Sequence, residues 1–205
     1  MFGDYWSRAA SVEPILDETV RQIEMDLPFP EGHSWNYTGG PHQAWGVGTA
    51  WGALDFAPMG VSGCAESTDW ITSVHSGLVV RSENATVVVD SDMDGSEQTG
   101  WVIFYFHVQT KGRIPTGVIV ETGDRLGHPS CEGGKATGTH VHIARKYNGE
   151  WISAGIAGAP FILSGWQAYN GPAAYQGLMI KNEEIIKSSQ VSSMASSVKH
   201  TTTQD

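Results

Sequence analysis

No run of this 205-residue chain approaches the roughly 20 apolar residues of a membrane span. The first residues, MFGDYWSRAASVEPIL, also lack the basic start and apolar core of a signal peptide, so an exported form would have carried its signal upstream. Basic residues are few: Lys and Arg total 12 against 22 Asp and Glu, for a net charge of −10. With no Lys/Arg cluster, a nucleic-acid backbone is not an expected partner. Two cysteines, Cys64 and Cys131, allow one disulfide and do not by themselves define a redox compartment. There is no internal repeat and no HExxH helix, so the glutamate base of that motif is missing.

What is abundant points to β structure. The chain holds 25 glycines and 8 tryptophans, and only 17% of its residues are charged. From Gly32 to about Trp166, short apolar runs alternate with Gly, Pro, Asn and Asp: GALDFAP, HSGLVVRS, ATVVVDS, GWVIFYFHV, GVIVETGD and HVHIARKY. Each has the length of a strand, which predicts a mainly antiparallel β domain. Asn148-Gly149 should turn the chain directly after the last of these runs. Before them, Val12, Ile15, Leu16, Val20 and Ile23 recur at helical spacing. This predicts a short N-terminal helix in a leader of residues 1–25, which could be the remnant of a longer precursor. After Trp166 a final strand is expected, and the Ser/Thr-rich residues 188–205, His200 included, read as a disordered tail.

The chemistry-bearing residues are histidines and carboxylates. His140 and His142 lie two apart on a predicted strand and so face one side. Two imidazoles there can share a metal, or one can bind while the other handles protons; taken alone, a pair that merely decorates a strand is the commoner case. Upstream, His42 precedes Asp55, and Asp55 sits between Leu54 and Phe56, where a carboxylate is rarely placed unless it is paired or bound. A capping or turn aspartate is the plain alternative. His107 ends a strongly apolar run, a setting that also suits a satisfied core histidine.

His42, Asp55, the His107 strand end and the segment CEGGKATGTHVHIARKYNGEW together resemble the lysostaphin-type zinc metallopeptidases, in particular the staphylolytic and β-lytic endopeptidases. The resemblance covers residues 26–166 of an expected domain at 26–187 and is strongest over 32–166; HSWNYTGGPH also looks like the family's approach to its first ligand. It implies the duplicated-hybrid-motif-like antiparallel fold and one zinc ion per chain held by His42, Asp55 and His142. It further implies catalytic roles for His107 and His140 and a transition-state tyrosine, for which Tyr169 and Tyr175 are candidates. His33 is the rival first ligand; His75 and His128 are expected to be structural and solvated, respectively. Cys131 matches a disulfide cysteine of relatives, whereas Cys64 has no obvious counterpart; their pairing is weighed against two free thiols.

The implied function is zinc-dependent hydrolysis of peptide bonds, Gly–Gly included, in bacterial peptidoglycan by a secreted or extracytoplasmic monomer. The alternative is a catalytically silent peptidoglycan-binding or regulatory module of the same fold. One feature lies outside the family pattern. Asp90, Asp92, Asp94 and Gly95 fit the first half of a calcium loop, although its twelfth position is Trp101 instead of glutamate.

Overall fold

The structure is a computed structural model, which describes residue 16 and residues 19–201 except 192. Fifteen strands carry the fold: β1 (Ser34–Gln43), β2 (Trp51–Pro58), β3 (Ile71–Thr72), β4 (Gly77–Glu83), β5 (Thr86–Asp90), β6 (Trp101–Phe106), β7 (Ile119–Val120), β8 (Arg125–Gly127), β9 (Val141–Tyr147), β10 (Glu150–Trp151), β11 (Ile162–Leu163), β12 (Trp166–Asn170), β13 (Gly177–Lys181), β14 (Glu184–Lys187) and β15 (Ser197–Lys199). Nine form one sheet in the order β15-β1-β2-β9-β6-β5-β4-β7, with β10 paired to β9. A second sheet runs β11-β12-β13-β14, and β3 pairs with β8. Every pairing is antiparallel, as the short punctuated runs predict. Among the described residues no helix is long and apolar enough to cross a membrane.

The two faces of the large sheet differ. One packs Leu54, Phe56, Val87, Val89, Ile103, Tyr105, Val141 and Ile143 into the main core, with Trp166, Ala168 and Met179 of the second sheet packed against them. The other carries a thinner apolar layer of Ala53, Val88, Val102, Phe104 and Ala144. Because strand side chains alternate, Asp55 and His142 fall on this second face. Asn148 (φ +48°) and Gly149 (φ +82°) form the expected two-residue turn, and Glu150 pairs back to Tyr147.

Three expectations fail. Most of the helix expected within residues 1–25 falls on residues outside those described, but its described end, residues 19–24, is not helical. Directly after it, Met25, Leu27 and Phe29 enter the core at every second position, so tertiary burial imposes an extended chain. The leader and the domain therefore share one core. Residues 166–187 supply three strands, β12 to β14, where one is expected. Residues 188–205 are not a free tail over their described part. Val198 of β15 is fully buried against β1, Asn36 Oδ1 accepts from Ser193 N–H and Ser196 Oγ–H, and His200 is buried with its Nδ1 on Phe29 O (2.6 Å). The exposed polar sequence hides a strand whose job is to cover the open edge of β1.

Val198→Asp should therefore destabilise the fold by at least about 2 kcal/mol, read from urea unfolding, by burying an unpaired charge. An unchanged midpoint would show that β15 is dispensable.

Candidate metal centre

Three adjacent strands build the site. Asp55 of β2 stands directly opposite His142 of β9. On the other side Gly39 pairs with Asp55 but His42 pairs with Ala53, so β1 holds one extra residue between these pairs. That bulge rotates His42, instead of Pro41, onto the face of Asp55. Gly39 is needed for space: a Cβ there would stand 2.4 Å from Asp55 Oδ2. One on Gly40 would meet the backbone of Gln176 and Gly177 at 2.6 Å.

His42 Nε2, His142 Nδ1 and Asp55 Oδ1 converge. His42 Nε2 lies 3.3 Å and His142 Nδ1 3.2 Å from Asp55 Oδ1, and the two nitrogens are 3.0 Å apart. These are close to the ligand–ligand edges, about 3.3 Å, of a tetrahedral ion with bonds of about 2.0 Å. The outer ring nitrogens fix the tautomers. His42 Nδ1 lies 2.8 Å from Gly40 O and His142 Nε2 3.0 Å from Ala44 O. A carbonyl only accepts, so each outer nitrogen must carry the hydrogen, and the inner nitrogens of neutral rings present lone pairs to one another and to the carboxylate. Asp55 Oδ1 is buried and accepts no conventional hydrogen bond. Three electron-rich atoms facing inward in a dry site require a cation between them, either a proton or a metal ion.

The ionisation of the site reflects this. Burial pushes the Asp55 carboxyl up, but His42 and His140 outweigh it and hold the group well below the usual range. Burial pushes His42 down, yet the adjacent Asp55 carboxylate holds it above its ordinary value.

Two further histidines flank the trio. His140 precedes β9 in an isolated bridge to Ser130; its Nδ1 donates to Gly138 O (2.7 Å) and its Nε2 faces Asp55 Oδ1 at 3.9 Å. His107 follows β6, donates from Nδ1 to Glu132 O (2.7 Å), and packs its ring 4.4 Å from that of His140. Burial, then His140, lowers its pKa to about 4, which keeps it neutral at pH 7. His107 adopts φ +62°, a strained conformation for a non-glycine that costs on the order of 1–3 kcal/mol. Ser130 holds it there, its N–H and Oγ–H both donating to His107 O at 2.8 and 2.9 Å. Tyr175, also at positive φ (+67°), stacks its ring 4.1 Å from that of His42. Burial and then Asp55 raise its pKa, so its hydroxyl stays protonated.

No family model matches the chain. Over 144 residues it is 28% identical to Protease LasA of Pseudomonas aeruginosa, a match spanning 67% of this chain and 32% of the relative. Over 135 residues it is 27% identical to the β-lytic metalloendopeptidase of Achromobacter lyticus, spanning 62% and 34% of the two chains. The chain thus spans about a third of the length of these curated relatives. The solved structure of pseudoalterin, described as an M23 metalloprotease from the deep sea, superposes with a TM-score of 0.67 at 25% identity, covering 82% of this chain and 96% of that one. The chain is thus similar to metallopeptidases of the M23 and β-lytic kind.

The fold sorts the sequence candidates. His42, Asp55, His107, His140 and His142 come together with Tyr175. Tyr169 is on β12, paired with Leu178. His33 is exposed, and its carbonyl accepts from His200 N–H. His75 binds Glu24 O through Nδ1 (2.9 Å). His128 is more than a solvated side chain: it donates to Asp69 O and its ring lies 3.9 Å from Trp70. Sequence reasoning missed Gly39, Gly40 and the four carbonyls that fix the histidine tautomers; the Gly39-Gly40 pair was the only visible signal for any of them.

A groove of about 610 Å³ opens beside the cluster, lined by Trp45, Ala85, Phe106, Glu132, Gly133 and Gly134 among others. Phe106 links it to the site, 4.2 Å from the His107 ring and 6.3 Å from that of His142. Cys64 and Cys131 form a disulfide. With Thr139, which bonds Gly63 O and Ala65 O, it anchors the 128–140 loop that orients both His107 and His140.

Closing a loop of sequence separation 67, the disulfide should contribute about 4 kcal/mol in a chain-entropy account. Cys131→Ser should therefore lower the unfolding temperature markedly. A change of only one or two degrees would show that hydrogen bonds alone hold the loop.

The metal-free protein should also have a defined pH profile. The Asp55 contribution is complete above the ordinary value of 3.8 and lost as pH falls through its lowered one. That of His42 is complete below 6.5 and lost as pH rises through its raised value. Metal-free stability from this pair is thus greatest between those values, and a bound metal, which needs deprotonated ligands, shifts the optimum upward. Melting temperatures across pH, with and without zinc, check this. Identical profiles would contradict it.

Proposed function

We propose that the protein is a zinc-dependent endopeptidase that hydrolyses peptide bonds in bacterial peptidoglycan. His42 Nε2, Asp55 Oδ1 and His142 Nδ1 hold the metal. The observation that carries the reading is their convergence at 3.0–3.3 Å with both outer ring nitrogens already committed to carbonyls. Three protein ligands of this kind leave a fourth position open, which is the mark of a catalytic site. Zinc bound there supplies Lewis acidity, polarising a carbonyl and bringing the pKa of a water toward neutrality.

The other side chains do the proton work. His107 and His140 have each committed Nδ1–H to a carbonyl, so Nε2 is their free acceptor. One takes the proton of the attacking water and delivers it to the amine nitrogen as the C–N bond breaks. Tyr175 keeps its hydroxyl hydrogen and donates it toward the negative charge developing on the carbonyl oxygen. By the family resemblance, the substrate carries small residues on either side of the scissile bond. Glycine-rich cross-bridges fit this best. A net charge of −10 gives no attraction to an anionic wall, so recognition rests on contacts in the groove. The disulfide agrees with an extracytoplasmic place of action, and the relatives' names agree with the chemistry.

The test is digestion of purified peptidoglycan followed by mass analysis of the released fragments. Fragments with new N-terminal glycine are expected. Wall binding without release would instead favour a silent binding module. His142→Ala should lose zinc and activity together. His107→Ala and His140→Ala should keep zinc while turnover falls roughly 10²- to 10⁴-fold; unchanged turnover would remove that histidine from the mechanism.

A further inference from the structure

A second group of metal-ligand atoms lies apart from the histidines. Asp90, Asp92 and Asp94 each place a carboxylate oxygen within 4.8 Å of the others. Asp90 ends β5 and is fully buried. Its Oδ2 accepts from Gly95 N–H (2.8 Å), but its Oδ1 is sealed from solvent with no hydrogen-bond partner. A buried carboxylate oxygen without a donor, beside two further carboxylates, calls for a cation. The positive side chains of this region do not supply it: Arg81 (2.7 and 3.0 Å) and Lys146 (3.0 Å) are both bound to Glu97.

The donor set identifies the ion class. The carboxylates come from alternate residues and Gly95 (φ +85°) makes the sharp turn after the third, an arrangement that wraps calcium. All three donors are oxygens, which suits a hard cation and not zinc. The one glutamate of the loop, Glu97, is used on Arg81 and Lys146, so carbonyls and water must complete the shell and the affinity belongs to the weak, extracellular class of roughly 10⁻⁴–10⁻³ M.

The position gives the site a purpose. Asp90 pairs with Val102 and Val102 with Lys146, which is four residues beyond His142 on the same strand. Asp90 therefore lies on the face of the sheet that carries the histidines. The Glu97 clamp ties the following loop to that same face, where Arg81 lies over Phe104 and Lys146 over Trp151. We propose that Asp90, Asp92 and Asp94 form a structural calcium site that fixes the 91–100 loop as a wall at the end of the sheet face remote from the histidine cluster. The site is independent of which metal the histidines hold.

The experiment uses the full chain, zinc-loaded so that the histidines are occupied. Terbium, excited through tryptophan (Trp101 adjoins Gly100, which packs on Asp92), should luminesce with one site per chain and be displaced by calcium. Millimolar calcium should raise the melting temperature by several degrees, whereas potassium chloride of equal ionic strength should not. Asp92→Asn/Asp94→Asn, both exposed positions, should keep zinc content and weaken terbium binding at least tenfold; Asp90→Asn should abolish the calcium-induced shift separately. Absence of the calcium shift, its reproduction by potassium chloride, or its persistence in the double variant would overturn the site.

Discussion

The structure turns on one buried oxygen. Asp55 Oδ1 is buried, faces two imidazole lone pairs at 3.2–3.3 Å and has no conventional donor. Such a group is unstable unless a cation sits among the ligands, and the surrounding chain is organised around that demand. Gly39 gives up a side chain to make room for the carboxylate, a bulge in β1 turns His42 toward it, and the carbonyls of Gly40 and Ala44 hold both rings with their lone pairs inward. Removing any one of these supports would leave the charge in place and the ligands misaimed.

The sheet carries the three converging side chains, and loop residues carry those that flank them. His42, Asp55 and His142 come from three neighbouring strands, where register alone sets their separation. His107 and Tyr175 lie outside strands, and both have positive φ. That strain is sustained by local bonding, to Ser130 in one case and through the Gly40 bridge in the other. The disulfide reinforces the loop on which the positions of His107 and His140 depend. The same division recurs at the far end of this face, where the Glu97 clamp anchors an acidic loop to β4 and β9.

Much of this was legible along the chain. The runs that became β2, β5, β6 and β9 are apolar, short and bounded by turn residues, and local pattern decides such segments. The five histidine and aspartate positions were recognisable as a set through the family resemblance, not through any one of them. The misses have a common physical cause. The leader carries a helical spacing in Leu16, Val20 and Ile23, but the following Met25, Leu27 and Phe29 are drawn into the core at a period of two. β15 has a single buried apolar side chain, Val198, among Ser, Lys and Thr, so composition alone marks it as tail. Its stability comes from the edge of β1, some 160 residues away in sequence.

By itself the sequence determined the β class, the Asn-Gly hairpin, the residue types able to bind a metal and the acidic loop after β5, because each depends on neighbours a few positions apart. Tertiary structure alone decided that His42 and not His33 faces Asp55, which tautomer each ring holds, which tyrosine reaches the site, and that the described residues around Met25 and Val198 join one core. Those outcomes depend on register, bulges and distant carbonyls, and no local pattern encodes them.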